Sequence, residues 1–224
     1  MLLEESYWFS YVIKKYVVQN SVVLNIGSST SEFIERYQPY IQENLLNLLH
    51  SKSCIIKNID LKADEGVDLV GDIVDPNFVN QLKKYDSDVI ICSNVLEHIT
   101  DKKIFCDSLC KILSKKTIVL VSVPYKFPYH PDPIDTEYRP DFEQLKNAFP
   151  LLQCIEGKEV DCGWYFSYVN SQFSLVSKCV NLVKAIIVLL FSAITINKPK
   201  LNEVLWNFKK ISATCGVFRL PTNE

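Results

Sequence analysis

No Cys-x-x-Cys pair occurs in the 224 residues; the eight cysteines stand singly at 54, 92, 106, 110, 154, 162, 179 and 215. That spacing excludes a zinc ribbon and a redox dithiol. Basic residues are not in surplus, since 24 Lys and Arg face 26 Asp and Glu for a formal charge of −2. Nothing here drives nonspecific binding to a phosphate backbone, and nucleic acid is set aside as a partner. Glycine is scarce, with six residues, and no G-x-G-x-x-G fingerprint is formed, which disfavours a nicotinamide oxidoreductase. The opening Met1-Leu-Leu-Glu-Glu has neither the basic start nor the long apolar stretch of a secretory signal. Reduced thiols in a cytoplasmic protein are expected, with possible membrane association resting on an apolar run near the C-terminus.

What is present is the composition of a folded globular chain, 48% hydrophobic, 22% charged and 12% aromatic. Residues 4–19 place Trp8, Tyr11, Val12 and Tyr16 at helical spacing, predicting an N-terminal amphipathic helix that flanks or covers the main domain. Short runs rich in Val and Ile then alternate with helical segments. Val22 to Ile26 ends at Gly27, Cys54 to Ile59 ends at Asp60, Val67 to Val70 ends at Gly71-Asp72, and Val89 to Cys92 ends at Ser93-Asn94. Thr117 to Val123 is a further buried strand, preceded by a helix over 101–113 with Ile104, Phe105, Leu109, Ile112 and Leu113 on one face. This alternation predicts an α/β fold, a mainly parallel sheet with helices on both faces that binds ligands at the carboxyl ends of its strands.

Five prolines between Pro124 and Pro140 predict a stiff loop leaving the last parallel strand. A helix over 141–148 follows, then two closing strands, 151–160 and 163–170, joined by a turn near Gly163. The organisation expected is a flanking helix over 1–19, a ligand-binding domain over 20–170, and an apolar, helical appendage over 171–224. Within that appendage Ala185 to Ile196 carries no charge and is bracketed by Lys184, Lys198 and Lys200. Crossing a bilayer takes about 20 apolar residues, so the run reads either as a buried core or homodimer helix or as an interfacial helix in peripheral contact with a membrane, through residues 179–200.

Gly27 ends a strand and opens a helix, so a ligand can approach the backbone there, and free amides at the helix start attract polar or anionic groups. Asp60 is placed to accept hydrogen bonds from ribose hydroxyls, and Asp72 ends the next strand. Either acid taken alone also suits a loop carboxylate that caps the following helix.

The ordered motifs LNIGSS, NID, GDI, VIICSNVLEHI and TIVLVSVPYKFPYHPDPIDTEYRP resemble those of class I S-adenosylmethionine-dependent methyltransferases. The last block resembles a small bacterial-type subgroup, some of whose members are associated with polysaccharide biosynthesis. The similarity covers about residues 20–150 and implies a Rossmann-like methyltransferase fold with a seven-stranded sheet, its last strand antiparallel, and S-adenosylmethionine as cofactor. It further implies that Asn25, Gly27 and Ser28 line the methionine part, Asp60 holds the ribose, Asp72 with Ile73 meets the adenine, and Ser93 and Asn94 lie beneath the sulfonium. The sequence departs from the commoner glycine-rich first motif by having Gly27 alone.

Asn94, Glu97 and His98 stand at i, i+3 and i+4, on one face if the segment is helical, and His130 follows the fifth strand toward the same mouth. A neighbouring pattern, Glu-x-x-Glu-His with a later histidine, binds a divalent metal in some methyltransferases; Asn94 in place of the first carboxylate weakens hard-cation binding, and use of a metal stays open. His130 titrates near neutrality and is the candidate base. Glu97, His98, Asp135, Tyr138 and Arg139 are candidate substrate contacts, with Asp135 and Arg139 equally suited to pairing with each other. Tyr7, Trp8 and Phe9 suit either a cover for the pocket or ordinary packing. The function expected is O-methylation of a small-molecule or glycan acceptor. The alternative is a catalytically silent methyltransferase-like module that binds a partner or membrane through its C-terminal segment.

Overall fold

The computed structural model describes residues 1–130, 134–171, 177, 180–184, 186–188 and 204–221. Among them one seven-stranded sheet runs in the order β3-β2-β1-β4-β5-β7-β6. The first five strands in chain order, β1 (Val22–Ile26), β2 (Ile55–Asp60), β3 (Leu69–Val70), β4 (Val89–Ser93) and β5 (Ile118–Lys126), pair in parallel. β7 (Lys210–Arg219) runs antiparallel to both β5 and β6 (Gln153–Trp164). Strand order reverses between β1 and β4. There the connections leave in opposite directions, the place where open α/β sheets bind their ligands.

Helices cover both faces. α1 (Leu3–Tyr16) and the Pro39–Ser51 region, made of α3 (Pro39–Ile41), a π turn (Gln42–Leu46) and α4 (Asn47–Ser51), pack on one side. α5 (Pro76–Lys83), α6 (Lys102–Ile112) and α7 (Phe142–Ala148) pack on the other. α1 buries Trp8, Phe9, Val12 and Ile13, while Tyr7 and Tyr11 remain exposed. The buried stripe is therefore rotated relative to the expected Trp8, Tyr11, Val12 and Tyr16, with Phe9 and Ile13 in place of the two tyrosines. α6 likewise buries Phe105, Cys106, Leu109 and Ile112 and leaves Ile104 exposed. Pro39 starts a helix at its first position, where no amide is needed, instead of breaking one.

Three sequence expectations are corrected. Residues 163–170 are not a closing strand; β6 continues to Trp164, and Tyr165–Val169 is a short helix, α8. The partner of β6 comes from far along the chain: β7 inserts between β5 and β6, so the boundary drawn at residue 170 leaves a strand of the sheet, Lys210–Arg219, on its far side. The stiff loop also begins later than Pro124. That proline lies within β5 at a bulge opposite Ala213, beyond the last pairing with β4 at Ser93–Ser122. Its missing donor is tolerated there.

The described cysteines, all but Cys179, are free. The apolar run 185–196 lies, except for Ile186–Val188, outside the described residues. No helix among the described residues is long and apolar enough to cross a membrane.

Candidate active site

The first turn is held by its own neighbours. Gly27 adopts φ +69°, and a β-carbon there would lie 2.4 Å from Val95 Cγ2, so only glycine fits between the turn and the loop after β4. The amides of Gly27 and Ser28 donate to Ile59 O at 2.8 and 3.1 Å. Ser29 N donates to Asp60 Oδ2 at 3.2 Å. The expected free amides are thus occupied, because the turn folds onto the end of β2, and α2 (Ser31–Tyr37) is too short to present a helix terminus of consequence.

Asp60 and Asp72 both brace local backbone. Asp60 Oδ1 also accepts from Lys62 N at 3.3 Å, and Asp72 Oδ1 accepts from Val74 N at 3.0 Å. Each carboxylate keeps unused lone pairs for a ligand. Asn25 is buried and donates to Asn58 Oδ1 at 3.0 Å. Ser28 is buried, with its hydroxyl turned to Ser29 O at 3.2 Å. Ile73 packs its side chain into the core with Ile59 and Phe78, so any contact from that position to a ligand runs through its backbone.

Beyond β4 the expected helical face does not form. Asn94 takes φ +52°, a conformation that Asn tolerates better than most residues, and only Leu96–His98 forms a 3₁₀ turn. Asn94 therefore faces away from Glu97 and His98. Its Nδ2 donates to Glu5 Oε1 at 3.1 Å, an interaction that brings the first turn of α1 onto the strand ends. Ser93 Oγ donates to the same oxygen at 3.2 Å.

Glu97, His98 and His130 do converge, with one ligand-capable atom from each lying within 4.8 Å of the others. The 3₁₀ turn and the loop after β5 are stitched together by Thr136, whose N and Oγ1 donate to Glu97 O at 2.8 and 2.9 Å. His98 Nδ1–H donates to Ile134 O at 2.6 Å. His130 Nδ1 lies 2.9 Å from Asp135 Oδ2, close but poorly aligned for a hydrogen bond. Assigning the proton to Nδ1 in both rings leaves both Nε2 lone pairs free.

Asp135 has no solvent exposure at its side chain. Burial alone would raise its pKa, but hydrogen bonds from Arg139 and from the amides of His130 and Glu137 prevail and hold it at about 2. Arg139 reaches Asp135 with both terminal nitrogens, at 3.0 and 2.6 Å, and also donates to Phe127 O and Pro128 O. The Asp135–Arg139 pair is thus the internal frame of the loop, and it orients His130. Burial, partly offset by the charge of Asp135, lowers the His130 pKa, so the ring is neutral at pH 7. Glu97 is 1% exposed at its side chain, and burial pushes its carboxyl up to about 8. Its Oε2 has no hydrogen-bond partner among the described residues.

Tyr138 packs under Lys102, whose ammonium sits 4.8 Å from the ring centre. It helps line a cavity of about 1170 Å³ between α6 and α7. None of Gly27, Asp60, Asp72, Ser93, Asn94 or His130 lines that cavity, so it is separate from the strand-end crevice. Sequence reasoning missed Glu5, which is completely buried.

Neither a protein-family model nor a curated protein sequence matches the chain. Solved structures do resemble it. The chain is similar to the 4+2 cyclase SpnF (TM-score 0.57, 11% identity, 97% of this chain against 82% of that one). It is similar to MccD protein (TM-score 0.56, 11% identity, 96% against 97%). It is also similar to coclaurine N-methyltransferase bound to N-methylheliamine and SAH (TM-score 0.54, 12% identity, 96% against 70%). At these identities the likeness establishes the Rossmann-like fold of methyltransferases. A cyclase among the bearers of that fold shows why the reaction has to be argued from the site.

Proposed function

We propose that this chain is an S-adenosylmethionine-dependent methyltransferase that methylates a hydroxyl of a small molecule or glycan intermediate, with His130 as base. The observation that carries this reading is the orientation of His130: Nδ1 toward a buried, ionised Asp135, the ring neutral, and Nε2 without a hydrogen-bond partner among the described residues at the carboxyl edge of the sheet. Asn25, Gly27, Ser28, Asp60, Asp72, Ile73, Ser93 and Asn94 are the proposed cofactor contacts. S-adenosylmethionine supplies an already activated methyl group when bound. The protein's share of the work is then to align the acceptor and to accept its proton, which a hydroxyl must lose and a neutral amine need not lose before attack.

Calorimetry of the full chain with S-adenosylmethionine and S-adenosylhomocysteine tests the reading; failure to bind either overturns it. Asp60→Ala is expected to weaken S-adenosylhomocysteine binding by ~1–3 kcal/mol, the range for a hydrogen bond to a charged group. An unchanged dissociation constant in a variant that melts like wild type removes Asp60 from the site.

A second reading has a specific observation behind it. Metal-bound histidines usually donate their other ring N–H to a carboxylate or carbonyl, as His98 and His130 are disposed to do toward Ile134 O and Asp135, and the unpartnered Glu97 Oε2 supplies a third ligand. In that case Glu97, His98 and His130 would hold a divalent cation, which would supply Lewis-acid activation of the acceptor in place of the free imidazole. Turnover that collapses on chelation and returns with added Mn²⁺ supports the metal; turnover indifferent to chelator retires it.

A further inference from the structure

The reaction just proposed leaves Glu5 without a role, although the fold goes to some length to hold it. Its side chain is carried in on the first turn of α1 and has no solvent exposure. Oε2 accepts from Leu2 N at 2.8 Å. Oε1 accepts from Ser93 Oγ and from Asn94 Nδ2, and contacts Ser122 Oγ. Ser122 pairs with Ser93 across β4 and β5, so Glu5 sits at the carboxyl end of β4 and against the middle of β5, beside the topological switch point. Donors surround the carboxyl on both oxygens, an arrangement that suits an acceptor-only group.

Buried carboxylates are normally matched by a cation. Among the described residues no lysine, arginine, histidine or terminal amine forms an ion pair with Glu5, and the Met1 ammonium is engaged with Gln38 Oε1 at 3.1 Å. After burial itself, Glu5 is the largest influence raising the pKa of the Cys215 thiol, and it adds to the upward shift of Glu97. Glu5 also holds Asn94 in its left-handed conformation from the side-chain end, while Asn94 N is fixed to Ser122 O at 2.9 Å.

We propose that Glu5 is a positioning residue that supplies the counter-charge for a cationic methyl donor, making the crevice favour a sulfonium over the neutral thioether left after transfer. This rests on the S-adenosylmethionine reading above. It gives α1 a task beyond packing: the helix delivers to the end of β4 a buried carboxylate that has no ion-pair partner among the described residues, and it fixes Ser93 and Asn94, the residues proposed to lie beneath the sulfonium. Loss of the positive charge on methyl transfer then weakens the hold on the spent cofactor, which favours its release.

The test compares two ligands that differ by one methyl group and one charge. Dissociation constants for S-adenosylmethionine and S-adenosylhomocysteine are measured by calorimetry for the wild-type chain, Glu5→Gln and Glu5→Asp. Glu5→Gln is expected to weaken S-adenosylmethionine about tenfold, the order expected for loss of one charge near a partly buried cation, while S-adenosylhomocysteine changes by less than about threefold. Glu5→Asp, which keeps the charge, is expected to preserve the wild-type ratio of the two constants. A merely structural role moves both ligands together, and an unchanged ratio in Glu5→Gln overturns the proposal. If Glu5→Gln does not fold, the wild-type protein is titrated with sinefungin, whose ammonium group replaces the S-methyl group. Tighter binding than S-adenosylhomocysteine supports the counter-charge, and weaker binding overturns it. Wild-type protein that binds none of these ligands refutes the methyltransferase reading itself, whereas binding with an unchanged ratio refutes only the role of Glu5.

Discussion

A chain cut after Asn170 is expected not to fold. The cut removes β7, which is buried along most of its length and lies between β5 and β6. Ile211, Ala213, Cys215, Val217 and Phe218 all lose their burial, and Phe218 takes with it the ring contact to Phe149 at 5.2 Å. Burying a large apolar side chain is worth about 1.5–3 kcal/mol. Several such side chains in one strand reach the order of the ~5–15 kcal/mol that keeps a whole domain folded. The loss is not confined to apolar area, because β5 is left with one free edge, β6 has no partner, and Thr214 Oγ1 no longer satisfies Pro140 O at 2.7 Å. Circular dichroism and thermal melting of residues 1–170 check this. A cooperative transition near that of the full chain would show that 171–224 is an appendage after all.

The same strand marks the limit of what the sequence made legible. β1, β4 and β5 are buried on both faces and therefore read as Val/Ile runs that stop at a polar residue, which is the pattern by which parallel strands declare themselves; β2 carries the same kind of run although only Ile59 of it is buried. β7 does not. Ser212, Thr214 and Gly216 interrupt its apolar residues, and the two hydroxyls are satisfied only through long-range partners, Glu159 and Pro140. Its pairing with β6 is set by tertiary contacts across some 45 residues of chain. The aromatic Tyr165–Val169 segment has strand-like composition yet forms α8, a case of context overriding local propensity.

The candidate site divides in a similar way. His130, Asp135 and Arg139 are close in sequence, and proline restricts the loop that carries them, so their grouping could be anticipated. Glu97 and His98 adjoin the end of β4 and join the same cluster. Asn94 was misplaced because a helical reading assigns it the face of Glu97, whereas a positive φ turns it to α1. Glu5 was invisible for a physical reason. An acid in the first turn of a helix is ordinarily a solvated partner of the helix dipole, and only the docking of α1 on the strand ends reveals that this one is buried.

His130→Ala is expected to lower turnover by ~10²–10⁴-fold, the contribution of a positioned general base, while the dissociation constant for S-adenosylhomocysteine stays near wild type. The separation follows from placement: His130 stands on the loop after β5, and the proposed cofactor contacts lie at the ends of β1 to β4. The pH profile supplies an independent check. Burial is the first cause of a His130 pKa below its ordinary 6.5, and only the neutral ring accepts a proton, so turnover should be flat through neutrality and fall as pH drops through that lowered pKa. Asp135 stays ionised throughout that fall, since its pKa of about 2 lies far lower. Asp135→Asn removes the charge that partly opposes the effect of burial, and the acid limb is expected to move to still lower pH even as the loss of orientation lowers the plateau. In His130→Ala the acid limb assigned to the imidazole disappears along with most of the activity. A variant that retains full turnover on an identified acceptor, with its acid limb in place, assigns the proton transfer elsewhere and leaves His130 as a wall of the crevice.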